Sequence, residues 1–171
     1  SIHYALEGGM IPQATLCITF SPVHTVEYYT AIADKLIEAG APEICLKDMA
    51  GVGRPVMLGR LTKAIKERHP EVLIQYHGHS GPGLSMASIL EVCENGADII
   101  DVAMETISWG KVHPDVISVE AMLKDAGFRV PEINMKAYMK ARAMTQEIID
   151  EFLGNFIEPT NKHKTQSHKH N

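Results

Sequence analysis

The chain has 171 residues, 45% of them hydrophobic and 22% charged, which places it in the range of one globular domain with a single core. Its net charge of −5 includes no sustained acidic or basic block in the part with apolar periodicity, so nucleic acid and membrane surfaces are excluded as electrostatically favoured partners. No apolar run approaches the roughly 20 residues that span a bilayer, and no basic segment followed by an apolar one opens the chain; a soluble, cytoplasmic protein acting on a small metabolite or another protein is expected.

Short apolar runs recur along the chain, each followed by a stretch of helical periodicity. The first, Ala14 to Phe20, leads through Ser21 and Pro22, a helix-start signal, to an apolar stripe of Val26, Tyr29, Ala33, Leu36 and Ile37 that Gly40 ends. The second, Glu43 to Asp48, passes Gly51 and Gly53 to Pro55 and a helix carrying Met57, Leu61 and Ile65, ended by His69 and Pro70. The third, Val72 to His77, runs through Ser80-Gly81-Pro82-Gly83 into a helix from Leu84 to Glu94. The fourth, Asp98 to Met104, precedes a helix from His113 to Asp125. Cys17, Cys45 and Cys93 lie within apolar stretches without metal-type spacing and read as buried, reduced thiols.

Strands alternating with helices of this length imply an α/β fold of parallel strands joined by right-handed crossovers, and near-equal spacing favours a (β/α)8 TIM-barrel type over an open sheet. Four units make half of such a barrel, so residues 1–130 are expected to form it, 131–160 a C-terminal helical extension, and 161–171 a disordered polar tail with three lysines and three histidines. Left alone, a half barrel exposes two sheet edges and an apolar inner face.

His77-Gly78-His79 ends the third run, and side chains at i and i+2 on a strand share one face, so two imidazoles converge where barrel enzymes build their sites. Such a pair supplies half of a typical divalent site, although two structural histidines satisfy the pattern equally well. Lys47 follows Ile44-Cys45-Leu46 in a strand that should be mostly buried, which is unusual for lysine. It either reaches solvent, pairs with Asp48, or serves chemistry. A lysine withdrawn from water gives up its proton more readily, and a neutral amine takes up carbon dioxide to give an anionic carbamate that could complete a site with His77 and His79.

Ile44-Cys45-Leu46-Lys47-Asp48-Met49-Ala50-Gly51, His77-Gly78-His79-Ser80 and Asp98-Ile99-Ile100-Asp101-Val102-Ala103 together resemble the carboxyltransferase domain shared by pyruvate carboxylase, oxaloacetate decarboxylase α subunits and transcarboxylase. Ser21-Pro22-Val23-His24-Thr25-Val26-Glu27-Tyr28-Tyr29 is closer to the branch with separate subunits, and the likeness extends from about Ala14 to Pro159. The Lys-Asp-Met element separates this branch from the lyases and synthases of the same barrel superfamily, which keep the two histidines.

The resemblance implies that Lys47 is a carbamylated metal ligand and a catalytic residue, that His77 and His79 bind zinc, manganese or cobalt, and that the four units are the fifth to eighth of the barrel. The aspartate ligand of the first strand and the substrate-binding arginine of the third are not in this chain, so a missing N-terminal half barrel is an expected partner. The implied activity moves a carboxyl group between carboxybiotin and a 2-oxo acid such as pyruvate or oxaloacetate. Biotin is expected on a separate carrier domain, because Met135-Lys136-Ala137 and Met139-Lys140-Ala141 sit in a helical pattern instead of an attachment context. Biotin carboxylase or decarboxylase subunits, and a homo-oligomeric state, belong to the same implication. Where pyruvate carboxylases carry a proton-shuttling threonine, this chain has Lys111, followed by Val112, His113 and Pro114, so Lys111 is expected to be a catalytic residue that adapts the site to something other than the standard proton relay, the alternative being a loop lysine that points at solvent. Two readings compete with a carboxyltransferase: a metal-dependent aldolase or lyase using the histidines without biotin, against which Lys47 argues, and a non-catalytic half-barrel assembly module.

Overall fold

The computed structural model describes residues 1–153; the 161–171 tail and the end of the 131–160 extension lie outside the described residues. By packing, the chain divides into one unit from Ser1 to Asp101 and a second from Val102 onward.

The first unit runs α1 (Ile2–Glu7), β1 (Gln13–Cys17), α2 (Val26–Glu38), β2 (Glu43–Asp48), α3 (Pro55–Arg68), β3 (Leu73–Gly78), α4 (Ser85–Glu94) and β4 (Ile99–Ile100). The strands form one sheet in the order β1-β2-β3-β4, with every pair parallel. This is the α/β architecture that the alternation of runs and stripes predicts; α1 was not foreseen. One sheet face carries Ala14, Leu16, Ile44, Leu46, Ile74 and Tyr76, all buried. Facing this apolar surface, the helices contribute Tyr29 and Ala33 of α2, Leu58, Leu61 and Ile65 of α3, and Ile89 and Val92 of α4. Each aliphatic side chain so buried contributes about 1.5–3 kcal/mol, and Leu61→Ala would cost about 2–5 kcal/mol through the cavity it leaves.

The opposite face is polar for the most part, contrary to the apolar inner face expected for a half barrel. Gln13, Thr15 and Cys17 of β1 are exposed, and Glu43, Lys47, Gln75 and His77 are half-buried. Pairing has no offset along the sheet: Gln13 stands opposite Glu43, which stands opposite Leu73.

Helix α2 begins later than Ser21-Pro22 suggests. The Ser21 hydroxyl is engaged locally, 2.7 Å from His24 Nδ1 and 3.3 Å from the Val23 amide, and Thr25 caps the helix by accepting from the Tyr28 amide at 3.2 Å. Helix α3 opens with Pro55 at its first turn, where a missing N–H costs nothing.

In the second unit the chain continues through a single parallel bridge between Ala103 and Asp115, then α5 (Val116–Asp125), α6 (Met135–Ile148) and one π turn (Ile149–Leu153). The fourth apolar run therefore yields only a two-residue strand and one isolated bridge in place of a strand to Met104. Asp115, buried, caps α5 through the Ile117 amide at 2.9 Å, and also accepts from the Glu105 amide at 2.8 Å and the Tyr138 hydroxyl at 2.9 Å. Burial, with the Asp115 carboxylate alongside, pushes the Tyr138 phenol up to about 12. Among the described residues no helix is long and apolar enough to cross a membrane.

Candidate metal centre

β2 and β3 pair so that Lys47 lies opposite His77 and Asp48 opposite Gly78. Register partners on parallel strands project to the same side and i, i+2 residues share a face, so Lys47, His77 and His79 emerge from the half-exposed polar face at the C-terminal end of the sheet. The rings of His77 and His79 have centroids 5.4 Å apart with planes at 54°. On the other flank of Lys47, its partner is Cys17 of β1.

Asp48 turns the other way. It is only 1% exposed, and its carboxylate accepts from the amides of Val52 at 3.0 Å and Gly53 at 2.8 Å, so it ties down the loop after β2. Of the readings of Lys47 left open by the sequence, pairing with its neighbour is thus disfavoured: the Asp48 carboxylate is engaged by the loop, on the opposite side of the strand. This loop is pressed onto the histidine segment. The His79 amide donates to the Asp48 carbonyl at 3.1 Å, and Gly51, at φ 67°, approaches so closely that a β-carbon there would lie 2.4 Å from the His79 carbonyl oxygen. After His79 the chain turns at Ser80–Gly83, with the Gly83 amide donating to the Ser80 carbonyl at 2.8 Å, and enters α4.

Sequence reasoning assigned no role to Asp101, which follows β4 and whose carboxylate lies 2.6 Å from His77 Nδ1. Its signal was the i, i+2 alternation with Ile99, which puts it on the histidine face.

Lys111 belongs to the second unit, exposed in a tight turn where Val112 donates to the Trp109 carbonyl at 2.9 Å and Trp109 to the His113 carbonyl at 2.8 Å. Trp109 and Gly110 both have positive φ, 67° and 55°. All three cysteines are free; burial pushes the thiols of Cys45 and Cys93 up to about 11, as suits unreactive thiols, but of the buried thiols expected only Cys45 is fully buried, Cys93 being half-buried and Cys17 exposed.

Two imidazoles and a lysine side by side are a donor set that divalent transition metals accept, the imidazoles directly and the lysine once converted to an anionic oxygen donor. The family model described as HMGL-like matches residues 15–145. The chain belongs to the HMGL-like family. Among curated relatives of this HMGL-like chain, the methylmalonyl-CoA carboxyltransferase 5S subunit of Propionibacterium freudenreichii subsp. shermanii is 38% identical over 123 residues, covering 71% of this chain and 24% of that protein. A pyruvate carboxylase subunit of Methanocaldococcus jannaschii is 36% identical over 148 residues, covering 83% and 26%. The HMGL-like chain thus spans about a quarter of the length of these relatives. The solved carboxyl transferase domain of Rhizobium etli pyruvate carboxylase with pyruvate superposes with a TM-score of 0.68 at 31% identity, over 71% of this chain and 22% of that one. This likeness makes the parallel sheet and its helices part of a TIM barrel.

Proposed function

We propose that this chain supplies the metal-holding part of a biotin-dependent carboxyltransferase, in which a carboxyl group passes between carboxybiotin and a 2-oxo acid. The observation that carries the reading is the register of β2 and β3, which sets Lys47 beside His77, with His79 on the same face. Among barrels of this superfamily, the lysine marks the carboxyltransferase branch.

In this reading His77 and His79 hold a zinc, manganese or cobalt ion through their imidazoles. Lys47 joins them after its amine nitrogen forms a bond to the carbon of carbon dioxide and releases a proton to solvent, leaving a carbamate whose oxygen is the donor. When bound, the ion acts as a Lewis acid on the oxygen of the 2-oxo group. The chain's own residues do the rest: Asp48 fixes the loop that supports His79, and the turn from Ser80 to Gly83 carries the chain from His79 into α4. Further ligands and the substrate-binding groups come from the strands that complete the barrel, and biotin arrives on a carrier domain of an associated carboxylase or decarboxylase subunit. That both relatives are named as subunits supports such an assembly.

Metal analysis of the complete protein tests the assignment. About one divalent ion per barrel is expected, and its loss in the His77→Ala, His79→Ala double variant; retention of the ion by that variant would overturn it.

A further inference from the structure

Gln13, Glu43, Gln75 and Asp101 form, with His77, one hydrogen-bonded chain across the whole sheet. The Gln13 side-chain amide donates to Glu43 Oε2 at 3.2 Å and to Gln75 Oε1 at 2.7 Å. The Gln75 amide in turn donates to Asp101 Oδ2 at 2.7 Å, and the same oxygen lies 2.6 Å from His77 Nδ1. β1 provides Gln13, β2 Glu43, β3 both Gln75 and His77, and Asp101 directly follows β4. None of the four residues besides His77 has a place in the metal site proposed above.

The chain has a direction that follows from the chemistry of its members. A carboxylate only accepts, whereas a primary amide donates at one end and accepts at the other. Gln75 is held with its oxygen toward Gln13 and its nitrogen toward Asp101, so it cannot turn over without losing both bonds. Asp101 then meets two donors on one oxygen, the Gln75 amide and an Nδ1–H of His77. With the proton at Nδ1, the lone pair of this imidazole is at Nε2, the nitrogen on the far side of the ring from Asp101.

We propose that the Gln13–Gln75–Asp101 chain is a positioning device for His77: it keeps the ring proton at Nδ1 and fixes the ring plane, so that Nε2 is presented to the ion. Gln75 and Gln13 touch neither ion nor substrate in this scheme and act only through Asp101. A ligand oriented in this way loses less freedom when it binds, and partners of this kind typically contribute a factor of about 10–100 in metal affinity. Because all five side chains lie on the half-exposed face, closing a barrel over them would remove competing water and strengthen every link.

The inference rests on His77 being a ligand, and the test separates the two claims. In the complete protein, cobalt(II) affinity is measured by chelator competition, together with the visible absorption of the cobalt complex, for His77→Ala, Asp101→Asn, Gln75→Met and the Asp101→Asn, Gln75→Met double variant. Gln75→Met keeps the length of the side chain and removes both hydrogen-bonding ends; Asp101→Asn keeps the shape. Each single change at Gln75 or Asp101 is expected to weaken cobalt binding by about 10–100-fold and alter the absorption bands. The double variant should be no weaker than Asp101→Asn alone, since Gln75 works through Asp101. Unchanged affinity in Gln75→Met, or losses that multiply in the double variant, would overturn the positioning role while His77→Ala still lost the metal. Wild-type affinity in His77→Ala would overturn the metal reading and this inference with it.

Discussion

The Tyr76 ring occupies the space a side chain at Gly78 would need: a β-carbon there would lie 2.2 Å from the Tyr76 hydroxyl oxygen and 2.5 Å from Cε1. Tyr76 is 1% exposed on the helix-covered face, and Gly78 shares that face two residues on. The glycine between the two histidines is therefore a packing requirement as well as a spacer. Gly78→Ala should cost about 1–3 kcal/mol by overpacking, read from denaturant unfolding of the complete protein. In a Tyr76→Leu background the same glycine substitution should cost less, because the clash is with the ring.

If Lys47 carries a carbamate, the complete metal-loaded protein prepared with carbon-13 bicarbonate should give a carbamate resonance. The signal should vanish in Lys47→Arg and after the ion is chelated, since cation and carbamate hold each other in place. A spectrum without the resonance in active protein would remove Lys47 from the ligand set.

Lys111 is exposed in a turn, at the position where the resemblance places a proton-carrying threonine. An ammonium there can pair with a second carboxylate on a longer acceptor such as a 2-oxo dicarboxylic acid, which a hydroxyl cannot do as well. Lys111→Thr in the complete enzyme should thus shift preference toward pyruvate relative to the longer acid by about tenfold in kcat/KM, the equivalent of about 1.4 kcal/mol. Equal rates for every acceptor would place the residue outside the chemistry.

Between α2 and α3, Asp34 pairs with Arg68 and lies 2.7 Å from His69 Nε2. The hydrogen bond from His69, followed by the opposing effect of burial and then Arg68, leaves the Asp34 carboxyl below its usual value. A depressed carboxylate stabilises the fold above its unfolded value of about 3.9 and loses that contribution as pH falls through the lower folded value. Asp34→Asn should therefore lower stability near neutral pH, by about 1 kcal/mol or less for a pair this close to solvent. The gap between wild type and variant should close in strongly acidic buffer, as measured by denaturant midpoints across a pH series.

What the sequence made legible follows from period. Ile44, Leu46, Ile74 and Tyr76 fall within short apolar runs, and the helix stripes that follow repeat at 3.6 residues, so parallel units and the convergence of His77 with His79 could be read directly. Cys45 and Lys47 likewise fall on the face opposite Ile44 and Leu46. The Gln13–Gln75–Asp101 chain could not be read, because it depends on which residues lie across from one another, and register is a property of paired strands. The polar inner face escaped notice for the same reason: Gln13, Glu43 and Gln75 look like isolated polar residues until three strands bring them together. The early end of β4 had no local signal, since Asp98 to Met104 is as apolar as the true strands. Ser21 looked like a helix cap because it precedes Pro22, yet its hydroxyl serves the His24 loop.

The zero-offset pairing of β1, β2 and β3 joins residues 13, 43 and 73, so each rung closes a loop of the same length. Each step in assembling this sheet then carries a similar entropic cost, and no strand can be placed before its neighbour without closing a loop twice as long, which adds only about 0.6 kcal/mol at equilibrium but raises the barrier to forming the contact. During synthesis on the ribosome this favours strand-by-strand addition in chain order, with every new strand docking on the edge laid down by the one before.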